Sequence, residues 1–331
     1  MTLRRILAMA ITIALAIGLP ATGFAENNDN GDNGDNGDNG DNGNGAAVEL
    51  PPGSSMLPDF FHGMRAGGAG SSHTAVASGV DAIYQNPAGI ARAPMYVIDG
   101  TFSHAPEGAL LSAGITDSKL NPQFAMGIAY NYFIGRGDLA HLSGHDARLA
   151  IAIPVVPEQI SIGAGVRYLR IKDDRLPKED EEDPQLMIHG VTFDAGINFR
   201  VAEMLHLGLK GQNLLDLCAS DEVCRGSTPT RVGAGVGVGR ETDFMISADA
   251  AVDLTSGPSP TFDFGVGGEY LVAHAIPLRI GFQRRGFLDR NLLTVGAGWR
   301  SEQAGVDFSY QHDLNRSSQF GYMSGGFSVY F

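Results

Sequence analysis

The side chains that could act as nucleophile, base or metal ligand in this 331-residue chain are few and scattered. Nine histidines stand at His62, His73, His104, His141, His145, His189, His206, His274 and His312. A hydrolase or acyltransferase working at a lipid boundary needs a Ser or His nucleophile and base brought together. No Gly-x-Ser-x-Gly segment and no paired-ligand spacing frames any of these histidines. His141 and His145 read as decoration of an outer loop. The chain is therefore read as a non-enzyme with no cofactor and no metal. The only cysteines, Cys218 and Cys224, fall within one short loop segment. In an oxidising compartment that spacing reads as a loop-stapling disulfide, against metal binding or catalysis.

Other polar runs are equally plain. Residues 27–45 repeat Asn-Gly-Asp. A calcium-binding glycine-aspartate repeat needs an apolar residue pointing into a β-helix; none is present, so the tract reads as a disordered, solvated spacer. Loop 172–185 is a charge run, read as a solvated surface loop with cation bridging to lipopolysaccharide as the sharper alternative. The formal net charge of -14 gives no electrostatic footprint for nucleic acid. Alternating glycines at Gly233, Gly235 and Gly237 suggest a nucleotide loop, but no helix follows them, as such a loop requires.

The elements that must position these residues are strands. Ile160, Ile162, Ala164, Val166 and Tyr168 alternate with Gln159, Ser161, Gly163, Gly165 and Arg167. A period of two with one apolar face marks a barrel strand with lipid outside and a polar lumen inside. The pattern recurs over 96–105, 107–115, 122–133, 143–155, 159–171, 186–200, 203–213, 229–239, 242–254, 261–272, 276–284, 291–300, 303–312 and 320–331. The fold class is therefore all-β, a fourteen-stranded antiparallel transmembrane barrel. The expected lumen-facing charges are Arg167, Asp194, Arg231, Asp249, Asp253, Asp263, Glu269, Arg279 and Asp307. Their mixed signs fit salt bridges tying a plug to the wall, with a conducting path as the alternative.

At the start, Arg4 and Arg5 precede the apolar run Ile6 to Leu19 and a small-residue stretch ending at Ala25. This reads as a signal peptide over 1–25, followed by the acidic spacer 26–58, a compact Gly/Ala/Ser-rich segment 59–95 and the barrel 96–331. If strand one runs outward, turns such as 201–202, 240–241, 273–275 and 301–302 are periplasmic, and the longest connections, 134–142, 172–185 and 214–228, lie outside. The expected location is the bacterial outer membrane, integral, with the spacer in the periplasm. Ser324, Gly326, Val329 and Phe331 fit the spacing of the terminal signal read by the barrel assembly machinery.

Residues 63–90 carry a more specific pattern. Gly63-Met64-Arg65-Ala66-Gly67-Gly68-Ala69-Gly70 is followed by Thr74-Ala75-Val76-Ala77 and Asp81-Ala82-Ile83-Tyr84-Gln85-Asn86-Pro87-Ala88-Gly89-Ile90. This resembles the N-terminal signature of the FadL-like outer-membrane barrels, most closely the PorV/PorQ branch. Leu207-Gly208-Leu209, Gln212-Asn213-Leu214 and Ile246-Ser247-Ala248-Asp249 resemble strands of that branch, so the likeness runs from about residue 60 to 331.

The resemblance implies that residues 59–95 fold into the lumen as a hatch, with the glycine-rich start at Gly67, Gly68 and Gly70 and the motif Asn86, Pro87, Ala88 and Gly89. It implies passive passage of small hydrophobic, fatty-acid-like compounds by way of the hatch and a lateral opening. PorV-type members instead dock secreted or periplasmic proteins. Independently, a wall face rich in glycine lets a plug approach closely, and Asn86 suits a residue bonding backbone at a turn. The one- or two-residue first outer connection near Pro106 departs from the long early loops of fatty-acid channels and favours the shorter branch. Membrane lipid, lipopolysaccharide, the assembly machinery through Phe331 and a hydrophobic ligand are the expected partners.

Overall fold

The computed structural model describes residues 63–121, 123–174, 186–215, 217, 228–316 and 321–331. The leader 1–25, the spacer 26–58, and Cys218 with Cys224 lie outside the described residues.

Two short helices, α1 (Met64–Gly68) and α2 (Gly79–Gln85), and a 3-10 segment (Pro87–Arg92) precede fourteen strands. These are β1 (Tyr96–Ala105), β2 (Gly108–Asp117), β3 (Ala125–Gly135), β4 (Leu142–Val156), β5 (Ile160–Asp173), β6 (Leu186–Ala202) and β7 (Leu205–Gln212). Then follow β8 (Arg231–Arg240), β9 (Phe244–Asp253), β10 (Thr261–Val272), β11 (Ile276–Arg285), β12 (Arg290–Arg300), β13 (Ala304–Asp313) and β14 (Tyr322–Tyr330). Each strand pairs antiparallel with its sequence neighbour, and β1 pairs with β14, so the sheet closes on itself. Closure removes every unpaired edge, which a sheet in hydrocarbon requires because no water is there to satisfy it.

The alternation read from the sequence sets the two faces. On β3, Met126, Ile128, Tyr130 and Ile134 are exposed, while Ala125, Ala129, Asn131 and Phe133 are buried. An outward belt of such size in water would be an association surface; as the outside of a barrel it is the face a bilayer covers. Aromatic residues bound this belt. At the end holding the chain terminus, Tyr96 meets Phe331 edge-on at 5.5 Å, and the Phe331 amide donates to the Tyr96 carbonyl at 3.0 Å. Tyr270 and Trp299 stand outward at the same end.

Strand ends shift by a few residues where local chemistry intervenes. The expected turn at 201–202 falls at 203–204, because β6 runs on to Ala202 through a register shift between Arg200 and Ala202. The start of β3 moves from 122 to Ala125, since the Asn121 side chain and carbonyl hold Gln123 and Phe124 in a turn.

Candidate functional site

The segment 63–95 lies within the barrel. Helix α1 packs on β11 to β14, α2 on β1 to β4, and the 3-10 segment on β3 to β6. A stretch touching opposite parts of a closed wall is inside it. Neither helix is long enough to be stable alone, so the wall holds them.

Close approach between the two backbones is the first part of that hold. A β-carbon at Gly208 would lie 2.4 Å from the Thr74 carbonyl oxygen, at Gly163 2.3 Å from the Ala88 nitrogen, and at Gly281 2.3 Å from the Gly70 nitrogen. Gly68 faces Gly296, where a β-carbon would come 3.1 Å from the other α-carbon. Gly67 sits against the Gln311 side chain at 3.0 Å by the same measure. Gly70 has a φ of 65° and its β-carbon would strike the Val266 carbonyl at 2.5 Å, so both conformation and space call for glycine. Gly89 packs against the Ala77 carbonyl.

Asn86 is the second part. Fully buried, it caps the 3-10 segment: its Oδ1 accepts from the Ala88 amide at 3.2 Å, with Pro87 at the first position. Its Nδ2 donates to the Thr74 carbonyl at 2.8 Å and lies 3.3 and 3.2 Å from the Ile197 and Leu209 carbonyls of β6 and β7. The Asn198 side-chain amide meets it at 2.9 Å. The motif asparagine thus joins two parts of the segment to the wall. Room for it exists because β6 carries Gly196, where a β-carbon would lie 1.8 Å from Asn86 Oδ1.

Charged groups form the third part. Arg167, Asp194, Asp253, Asp263, Glu269, Arg279 and Asp307 are buried and Arg231 and Asp249 half-buried, and they divide into clusters. Glu269 accepts from Arg65 of α1 and pairs with Arg279, which also pairs with Asp307. Asp249 accepts from the amide and hydroxyl of Thr74. Arg167 pairs with Asp146 and donates to Asn213, whose amide donates to Asp194 at 2.7 Å. Arg231 lies 3.5 Å from Asp253 and 3.3 Å from Asp263. Glu269 and Asp249 bind the segment directly, while among the described residues Arg167, Arg231 and their partners brace neighbouring strands. Buried carboxylates and guanidiniums survive in such a place because they are paired.

Residues not anticipated from the sequence complete the attachment. Tyr84 donates to Asn131 at 2.9 Å and stacks under Arg148, whose guanidinium carbon is 4.9 Å from the ring centre. Arg92 pairs with Glu241 in the turn after β8. Burial by itself would raise the Glu241 carboxyl, but Arg65 and Arg92 beside it hold it below the usual range. Asp81 accepts from the Ala66 amide at 3.3 Å, and burial pushes its carboxyl up to about 6. His73 is driven down to about 3 by burial and by Arg65, and is neutral. Only the Asp-Ala-Ile-Tyr stretch before the motif marked any of these positions.

Space remains on both sides of the segment. Towards the β1–β2 connection a cavity of about 50 Å³ is bounded by Met64, Val80, Asp81, Tyr84, Leu110 and Leu292. Towards the terminus end a cavity of about 150 Å³ is bounded by Arg65, Ser78, Met95, Arg300 and Tyr330. The two share Met64, Val80 and Asp81 of the segment and Asp99 of β1 as lining. A third space of about 310 Å³ opens at the terminus end between Arg92, Asn198, Arg200, His206 and Glu241. The ladders on both edges of β3 run without a register shift, so the described wall is continuous there.

No family model and no curated protein sequence matches the chain. Solved structures do. The toluene transporter TbuX of Ralstonia pickettii aligns with a TM-score of 0.57 at 12% identity, over 82% of this chain and 98% of that one. The toluene transporter TodX of Pseudomonas putida aligns at 0.58 and 10% identity, over 84% and 99%. A FadL homologue from Pseudomonas aeruginosa aligns at 0.54 and 13% identity, over 83% and 98%. Identity this low carries the likeness of fold, and the chain shares the closed barrel fold of these toluene transporters and of the FadL homologue.

Proposed function

We propose that this chain is an outer-membrane barrel through which small, largely apolar compounds pass passively, with residues 63–95 acting as the hatch. The observation that carries this reading is a pair of cavities that share Met64, Val80 and Asp81 of the lumenal segment as lining, beside Asp99 of β1. Moving Met64, Val80 and Asp81 would join the two spaces along β1. Their walls mix apolar side chains with a few polar groups, the lining of a small-molecule site. The fold likeness to two toluene transporters supports the same substrate class. A space of about 50 Å³ holds only a few waters, so a fatty-acid-like ligand requires hatch movement whereas a small ring asks less of it.

The exposed outer belt supports membrane residence, the signal-like leader and spacer support a periplasmic N-terminus, and the Phe331 ending supports recognition by the assembly machinery. A second reading, a closed barrel of the PorV/PorQ kind that docks secreted or periplasmic proteins, is favoured by the tight glycine seats, which leave the hatch little freedom.

The test is uptake of labelled toluene and of a labelled long-chain fatty acid by cells expressing the wild type, Asn86→Ala, or a deletion of residues 63–92, with insertion checked by heat-modifiable mobility. Uptake that depends on the protein and rises when the hatch is loosened supports passage. Absence of uptake by all three inserted proteins would move the assignment to docking.

A further inference from the structure

The loop-end side of the first cavity is covered by side chains from two parts of the wall that are not neighbours. Glu107 stands in the turn between β1 and β2, and Arg290 opens β12, with β14 and β13 lying between those strands. Strands are about 4.8 Å apart, so three spacings put roughly 14 Å of wall between them. The pair nevertheless meets inside it: Arg290 Nη2 donates to Glu107 Oε1 at 2.9 Å. On the way its guanidinium carbon passes 5.6 Å from the centre of the Tyr322 ring of β14, and the Tyr322 hydroxyl donates to the same Oε1 at 3.3 Å. Beneath the pair, Leu110, Leu288 and Leu292 line the cavity. Leu288 belongs to the β11–β12 connection yet is only 6% exposed. That connection is moored by Arg284 on Asp289 at 2.7 Å and by the Gly286 amide on Asp263 at 2.8 Å.

Arg290 has a second carboxylate within reach. Its Nε lies 3.9 Å from Asp313 Oδ2 at the end of β13, too far for a hydrogen bond. That Nε, and Oε2 of Glu107, are shielded from water with no hydrogen-bond partner. Groups left in that state weigh against the arrangement that contains them. A small swing of Arg290 onto Asp313 would satisfy Nε and release Glu107 into water. The swing is short because Asp313 opposes Leu292, two residues along β12 from Arg290. The Glu107 side chain is 23% exposed, and ion pairs open to solvent hold weakly. One guanidinium thus has two arrangements in which it stays paired, one reaching across the mouth of the cavity and one lying along the wall.

We infer that the lumen opens at the loop end between the β1–β2 turn and the β11–β12 connection, and that Arg290 sets the opening by exchanging Glu107 for Asp313. The ladders joining β1, β14, β13 and β12 run without a register shift, so the way in passes over the rim and not through the wall. What this entrance admits is a small, neutral, largely apolar molecule. Leu110, Leu288 and Leu292 stand directly inside it, and the two arginines there, Arg285 and Arg290, are already paired with Asp263 and Glu107. The choice of entrant rests on the passage reading proposed above; the opening itself does not.

The experiment reads access to the cavity directly. Thr101 lines the first cavity and Ser328 the one at the terminus end. Thr101→Cys or Ser328→Cys is placed in the full-length barrel in detergent, and the rate of modification by a small, charged methanethiosulfonate is measured above that of the chain with its native Cys218 and Cys224 alone. Adding Glu107→Ala should speed modification at position 101 at least fivefold. Adding Asp313→Asn should slow it at least threefold, because Arg290 then has only Glu107 to pair with, while the asparagine still accepts from the Asn315 amide. Opposite signs separate a switch from general loosening, which would speed both. Position 328 should react alike in all three backgrounds. Equal rates at position 101, faster rates in both variants, or an equal change at position 328 would each overturn the entrance. Folding of every variant is checked by heat-modifiable mobility. Uptake of labelled toluene by cells carrying the same variants should follow the same order; the expected order of modification with no uptake would leave the entrance standing and sink the passage reading.

Discussion

Arg65 grips Glu269 with two hydrogen bonds, Nε to Oε2 at 3.1 Å and Nη2 to Oε1 at 2.9 Å, across 204 residues of sequence. This fork-to-fork contact fastens α1 of the lumenal segment to β10, and the same carboxylate also pairs with Arg279. Truncating one partner of a buried charged group leaves the others uncompensated, a larger loss than the pair's own net worth. Glu269→Gln should therefore destabilise the folded barrel by about 3 kcal/mol. Thermal unfolding in detergent, followed by loss of the compact gel form, measures it. An unchanged midpoint would show that the anchor lies elsewhere.

Asn86→Ala should loosen the segment without opening the wall. The variant leaves the Thr74, Ile197 and Leu209 carbonyls without the amide that reaches all three. The amide has two protons, so at most two of these bonds are lost at once, each costing on the order of 1–3 kcal/mol, partly recovered by entering water. Limited proteolysis within residues 63–95 should become at least several-fold faster while the strands stay resistant. Cleavage at the wild-type rate would contradict the clamp.

Gly196→Ala should act on the same place from the wall side. Its added methyl would collide with Asn86 Oδ1, a buried side chain already committed to Ala88. Because overpacking commonly costs about 1–3 kcal/mol, pairing it with Asn86→Ala should be less than additive, since the small residue at 86 leaves space for the methyl. A double-mutant cycle on unfolding midpoints gives the sign, and strict additivity would be the contrary result.

Asp81 supplies a pH dependence. Its carboxyl is raised by burial from 3.8 to about 6, so the folded state keeps its proton while the unfolded chain has lost it. Stability from this group is full below about 4 and is lost as pH rises through about 6. Relative to the wild type, Asp81→Asn should lose this dependence between those values; His73, neutral when folded but protonated in the unfolded chain below 6.5, gives the opposite slope in both proteins and cancels in the comparison. Unfolding midpoints from pH 4 to 7, wild type against variant, decide it; parallel curves would exclude Asp81 as the titrating group.

The barrel was legible in the chain because strand side chains alternate strictly, so a lipid-facing residue and a lumenal one trade places at every step. Phe262, Phe264 and Val266 against Asp263, Gly265 and Gly267 specify both faces of β10 without any knowledge of its neighbours. For the same reason Arg167, Asp194, Arg231, Asp249, Asp263, Glu269, Arg279 and Asp307 could be placed inside from parity alone. Which of them would hold the lumenal segment could not. Parity says nothing about rotation around the barrel, and only the closed tertiary structure brings Arg65 to Glu269 and Thr74 to Asp249, leaving Arg167 and Arg231 to brace the wall. The lumenal segment itself has no period to read, because its course follows wall glycines such as Gly163, Gly208 and Gly281 rather than a repeating pattern of its own. Asn86 was visible as a turn residue, but its reach to β6 and β7 depends on Gly196 lying opposite it, a coincidence of register that no local stretch of sequence contains.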